Sequence, residues 1–171
     1  AKELGNEVPA EPLVFLKPAT SLLAHRGTVV LPPESERVDF EGELAVIIGR
    51  PAKDVPREHA MSVILGYTVG NDMSSRDIEG ANPLYLPQAK TYTGSAAVGP
   101  AIQLASASEL TALTVKITIL RNGDSVFAGE TATSNMKRTF PDLASYLCRE
   151  IQFPHGVFLM TGTGIVPGDD F

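Results

Sequence analysis

Phe40-Glu41-Gly42-Glu43-Leu44-Ala45-Val46-Ile47-Ile48-Gly49 sets two carboxylates directly ahead of an unbroken apolar run. Such a run is typical of a strand covered on both faces. In an extended chain, residues two apart point the same way, roughly 6–7 Å apart. Glu41 and Glu43 therefore project together from the mouth of that strand. Two like charges held so close repel, and raise each other's pKa, unless a cation sits between them. The plainer reading is a pair of solvated residues at a strand start.

Working outward, Ser62 to Val69 is a second run of the doubly covered kind, and Val157 to Met160 is a further strand, stopped by Gly162. Leu113 to Ile119 alternates strictly between apolar and polar residues, the pattern of a strand with one wet face. It leads into Asn122-Gly123, a pair suited to the positive φ values of a type I′ turn, and then into Ser125 to Ala128. That sequence is a hairpin. Two helices are expected. Asp54 can cap one over residues 55–64, with Pro56 in its first turn. Thr139-Phe140-Pro141-Asp142 is a capping box, with Phe140, Leu143, Tyr146, Leu147 and Ile151 at helical spacing after it. The fold class is α+β, predominantly β. With no repeat, low-complexity block or shift in composition, residues 1–171 read as one domain.

Composition excludes several functions. Hydrophobic residues make up 43% and charged residues 20%, which is not a disordered chain. The net charge is −6, and the basic residues are scattered, so nucleic acid and anionic membrane are not expected partners. No apolar run approaches a membrane span, and no signal-peptide pattern opens the chain. A single cysteine, Cys148, fits a reducing cytoplasm, and its place beside the apolar positions of the last helix makes it a core residue. His25, His59 and His155 lack a zinc-ligand spacing, and no phosphate-binding or nucleophile-elbow motif is present.

A third carboxylate, Asp72, sits where the second buried strand ends, in Asn71-Asp72-Met73-Ser74-Ser75-Arg76-Asp77. Ends of strands are where binding sites gather. Glu41, Glu43 and Asp72 together would make a hard-oxygen site suited to Mg²⁺, or to Mn²⁺ or Ca²⁺. Arg76 offers a planar donor fork for a substrate carboxylate, or else an ion pair with Asp77 or Glu79. Lys90, if partly buried near a metal, would titrate close to neutrality and move protons; otherwise it is a surface lysine. Thr161-Gly162-Thr163-Gly164 either presents hydroxyls and N–H groups to anionic oxygens or is a simple turn, and Lys17 and Ser21 are lesser candidates of the same kind.

Phe40 to Gly49, Gly66 to Asp77, Gly129-Glu130-Thr131 with Ser134-Asn135-Met136, and Leu159 to Gly164 together resemble the fumarylacetoacetate hydrolase family, in order along nearly the whole chain. The resemblance implies a mixed β-sandwich roll of that family's C-terminal domain type, a homodimer, and a bound divalent ion. It implies Glu41, Glu43 and Asp72 as metal ligands, with Arg76, Gln88, Lys90 and Thr161 or Thr163 around a small 2-oxo acid. It further implies a lid His–Glu pair. Glu3 fits that Glu, which puts the His before Ala1, and the chain is expected to lack short parts at both ends. The activity implied is hydrolysis of a C–C bond or decarboxylation through a metal-stabilised enolate. Residues 77–90, with Thr163 to Pro167, are similar to members that dehydrate 2-keto-3-deoxy sugar acids. A non-catalytic oxo-acid-binding homologue is the remaining alternative.

Overall fold

The computed structural model describes residues 9–104 and 106–168. Its first three strands are β1 (Leu22–Leu23), β2 (Val38–Ile48) and β3 (Ile64–Ser75). Two short helices follow, α1 (Arg76–Ala81) and α2 (Leu86–Lys90), then β4 (Ala96–Val98), β5 (Gln103–Leu104) and α3 (Ala107–Leu110). The chain closes with β6 (Thr114–Arg121), β7 (Asp124–Ala132), α4 (Phe140–Leu147) and β8 (Val157–Thr163).

Both edges of β2 are paired, with β3 on one side and β8 on the other, both antiparallel. That explains why its apolar run is continuous: Leu44, Ala45, Val46, Ile47 and Ile48 are all buried. β4 joins the far edge of β3, and β1 runs parallel to β4, so the sheet is mixed, in the order β1-β4-β3-β2-β8, with β5 on β3. The whole is a sheet-dominated α+β fold.

On one face of β2, Leu44 and Val46 pack with Leu110 and Phe140, and with Val115 of the separate β6–β7 hairpin. Gly42 lets the hairpin approach, since a Cβ there would run into Ile117. The hairpin turn is as the sequence requires, with positive φ at Asn122 (55°) and Gly123 (94°). Farther along, Ile48 packs with Ala60, Val63, Ala144, Leu147 and Cys148, between α4 and the 3₁₀ helix Arg57–Val63. Ile48 is fully buried, so Ile48→Ala should lower stability by about 2–5 kcal/mol, read from urea unfolding. A loss under about 0.5 kcal/mol would contradict this packing.

Four sequence expectations shift. The first helix is a 3₁₀ helix beginning at Arg57, and Asp54 does not cap it. Asp54 has φ 49° and instead accepts the Glu150 N–H at 2.6 Å. β3 starts at Ile64, and its Leu65 and Val69 are exposed, so its apolar run is not covered on both faces. Helix α4 keeps its Thr139–Asp142 capping box but ends at Leu147, leaving Ile151 exposed beyond it. β8 does not stop at Gly162; that residue, at φ 88°, absorbs an irregularity and the strand continues to Thr163.

Candidate metal centre

Antiparallel register builds the site. Glu41 on β2 lies directly opposite Asp72 on β3, and Glu43 lies opposite Gly70. Residues two apart on a strand share a face, and so do residues directly opposite on paired strands. Three carboxylates from two strands thus converge, all buried, with oxygens within 4.8 Å of one another. This is the face of β2 turned away from the hairpin.

Fixed cations surround them. Helix α2 delivers Lys90, 3% exposed, whose Nζ donates to Glu41 Oε2 (2.8 Å) and to Ser74 Oγ and lies 3.4 Å from Asp72 Oδ2. Lys17 Nζ donates to Asp72 Oδ1 at 2.5 Å and to the Lys90 carbonyl. The Phe15 ring lies 5.8 Å from Lys90 Nζ. Arg76, the first residue of α1, donates to Glu41 Oε1 (2.6 Å), Asp39 Oδ2 (2.9 Å) and Glu79 Oε2 (2.6 Å).

The three carboxyls respond differently. Glu41 is raised by burial but lowered further by Lys90 and Arg76, so it stays ionised. Burial outweighs Lys90 and Lys17 at Asp72, whose carboxyl is raised. Glu43 has no ammonium or guanidinium at ion-pair distance among the described residues. Burial, then Asp72 and Glu41, push it up to about 8, against the Gly162 N–H and Lys90. Lys90 is lowered by burial but raised more by Glu41 and Asp72. Buried rather than on the surface, it is kept an ammonium by two carboxylates.

The donor set fits a hard divalent cation: buried carboxylates only, one of them short of positive charge. Glu43 keeps its proton in the folded chain where an unfolded carboxyl, near 4.5, has lost it. Folding then takes up a proton, and this group's contribution to stability falls as pH rises from about 4.5 to 8. A cation must displace that proton. The rise in melting temperature on adding Mg²⁺ to EDTA-stripped protein should accordingly be larger near pH 8 than near pH 5.5. An equal rise at both would mean that Glu43 takes no part.

The other residues named from sequence are placed as follows. Gln88 is on an exposed turn of α2, two residues before Lys90. Thr161 donates to the Leu44 carbonyl at 2.9 Å, and the Thr163 hydroxyl lies 3.0 Å from the carbonyls of Gly42 and Ile165. They pin Gly162, whose N–H donates to Glu43 Oε2. Thr161 and Thr163 also border a cavity of about 280 Å³ with Leu44, Val115 and Lys137. Ser21 is buried and donates to Pro18 O, away from the carboxylates. Glu3 lies outside the described residues. Sequence reasoning missed Asp39 and Ser74. Both are legible by period two, one step out from Glu41 and Asp72 on their own strands.

Comparison with known proteins agrees with this geometry. The family model described as fumarylacetoacetate (FAA) hydrolase C-terminal matches residues 1–170. The 2-dehydro-3-deoxy-D-arabinonate dehydratase of Saccharolobus solfataricus is 37% identical over 180 residues, covering 99% of this chain and 56% of its own. An oxaloacetate tautomerase of Arabidopsis thaliana is 36% identical over 169 residues, covering 95% of this chain and 73% of its own. The solved 2-keto-3-deoxy-D-arabinonate dehydratase complexed with magnesium and 2,5-dioxopentanoate is 36% identical, with a TM-score of 0.77 over 88% of this chain and 50% of that one. The chain thus spans little more than half the length of its dehydratase relative. From the register that gathers three carboxylates to the match along its length, this chain belongs to the fumarylacetoacetate hydrolase family.

Proposed function

We infer that the protein acts on a small 2-oxo acid with Mg²⁺ held by Glu41, Glu43 and Asp72, passing through an enolate. One observation carries this reading: three buried carboxylates converge beside an ammonium fixed by two of them. A divalent cation held there supplies Lewis-acid stabilisation of the negative charge that develops on the substrate's 2-oxo oxygen. Lys90, held as an ammonium by Glu41 and Asp72, would give a proton to C3 of an enolate released by C–C cleavage or decarboxylation. As the neutral amine it would take one from C3 where the enolate forms by proton loss. Arg76 orients the substrate carboxylate by exchanging one of its carboxylate partners for it. Gln88, Thr161 and Thr163 bound the substrate, and Glu3 is the lid carboxylate.

Cleavage of a C–C bond and decarboxylation release that enolate, and loss of the 4-hydroxyl of a 2-keto-3-deoxy acid proceeds from it. Dehydration of a 2-keto-3-deoxy sugar acid is the second reading, favoured by the identity to the Saccharolobus dehydratase. The reaction proposed runs in the cytoplasm, consistent with a buried unpaired thiol at Cys148. No helix among the described residues is long and apolar enough to cross a membrane. A homodimer is proposed, as the exposed Val69 and Leu104 near one edge of the sheet suggest; light scattering measures it.

The test is a panel of acylpyruvates, oxaloacetate and 2-keto-3-deoxy sugar acids in D₂O, followed by proton NMR. Loss of the C3–H signal faster than in a protein-free sample reports the enolate whichever product follows. We expect exchange or turnover with at least one class, abolished by EDTA and restored by Mg²⁺. No exchange, with ligand-induced stabilisation alone, would establish the non-catalytic binder. Undiminished exchange in EDTA would reject the metal.

A further inference from the structure

Ser74 lies two residues beyond Asp72 on β3 and so faces the carboxylates, yet nothing assigned above gives it a part in the chemistry. It is completely buried. A buried hydroxyl left without partners costs free energy, and this one is satisfied twice. Its oxygen accepts a hydrogen bond from Lys90 Nζ, and its own O–H donates to the Asp72 carbonyl at 3.3 Å.

An ammonium has three N–H donors and no acceptor. Lys90 donates to Glu41 Oε2 at 2.8 Å and to the Ser74 hydroxyl, and Asp72 Oδ2 lies 3.4 Å away as an ion-pair partner. Of the three, Ser74 alone is neutral and is outside the proposed ligand set. Glu41 and Asp72 attract the charge of Lys90 but do not fix where along the line between them it sits. Lysine reaches its partners on a flexible four-carbon stem. A third acceptor on the rigid strand converts attraction into position.

We propose that Ser74 is the positioning residue for Lys90, setting the ammonium at the point from which it reaches the substrate's C3. The inference rests on the proton-transfer role given to Lys90 above. Misplacement of a reacting group by about 1 Å can cost on the order of 100-fold in rate. Losing Ser74 should therefore lower turnover and leave substrate binding alone. It also predicts an observable independent of activity. A buried ammonium with its hydrogen bonds made exchanges its protons more slowly than one with a partner missing, and its NMR signal is correspondingly sharper.

The test compares wild type, Ser74→Ala and Lys90→Met, each labelled with ¹⁵N at lysine Nζ. The Lys90→Met spectrum assigns the Lys90 signal by its absence. In Ser74→Ala that signal should shift and broaden, while the melting temperature stays within a few degrees and Mn²⁺ affinity by titration stays within about threefold. For whichever 2-oxo acid exchanges its C3–H, kcat should fall roughly 10- to 100-fold with KM within about twofold. Ser74→Thr, which keeps the hydroxyl, should recover the signal and, where the extra methyl fits, part of kcat. An unchanged Lys90 signal in Ser74→Ala overturns the proposal, whatever happens to the rate, as does an unchanged kcat. If wild type neither binds Mn²⁺ nor exchanges C3–H, the functional reading fails. The Lys90 signal then still decides whether Ser74 fixes the ammonium.

Discussion

Glu43→Gln should leave the chain folded while abolishing its stabilisation by Mg²⁺. Glu43 is 4% exposed and accepts the Gly162 N–H, which the amide oxygen of Gln can still accept. What the substitution removes is charge, at the one carboxyl of the three that burial, Asp72 and Glu41 together push up to about 8. EDTA-stripped Glu43→Gln should therefore melt near pH 8 at the wild-type temperature or above it, since the wild-type carboxyl is there losing its proton against its surroundings. Adding Mg²⁺ should raise the wild-type melting temperature and leave the variant's unmoved. A metal contributes several kcal/mol of charge stabilisation, and each ~1.4 kcal/mol is tenfold in rate, so turnover should fall by about 10³-fold or more. A full Mg²⁺ response in the variant would contradict the assignment. Glu41→Gln is a poorer test because Glu41 also partners Arg76 and Lys90.

Lys90→Met should injure both folding and chemistry. Removing one partner of a buried ion pair leaves the other charge uncompensated, typically at about 3–5 kcal/mol. Lys90, 3% exposed, is a partner to both Glu41 and Asp72. Losing a positioned proton-transfer group costs about 10²–10⁴-fold in rate. The urea midpoint should drop, and kcat should fall within that range in molecules that remain folded. Because the carboxylates lose a counter-charge, Mg²⁺ should stabilise Lys90→Met more than wild type. Wild-type kcat in folded, metal-loaded Lys90→Met would remove Lys90 from the mechanism.

Much of this site was legible before any coordinates, for a specific reason. Strand periodicity is rigid, so Glu41 and Glu43 had to share a face, and an unbroken run from Leu44 to Ile48 had to be covered twice. The hairpin was equally plain, because Asn122-Gly123 admits few alternatives. What the sequence could not show was pairing across strands. Nothing in it says that Asp72 lies opposite Glu41, which is a matter of register. Nor does it show that Lys17, 55 residues away, reaches Asp72.

The misreadings have the same origin. Asp54 has the chemistry of a cap, but tertiary contact with Glu150 claims its side chain. Lys90 reads from sequence as a surface lysine or, near a metal, a group titrating close to neutrality, because its two carboxylate partners come from two separate strands. Arg76 carries the guanidinium fork expected of it, already spread over Asp39, Glu41 and Glu79, and only the last of these was among the partners considered.

The central claim is that one divalent cation sits among Glu41, Glu43 and Asp72. Crystals grown with Mn²⁺ and measured for its anomalous scattering test it directly. The account predicts a single strong peak ~2.0–2.6 Å from an oxygen of each of the three side chains. No peak there, or a peak bound elsewhere on the chain with Glu41 and Asp72 still paired to Lys17, Lys90 and Arg76, would contradict it.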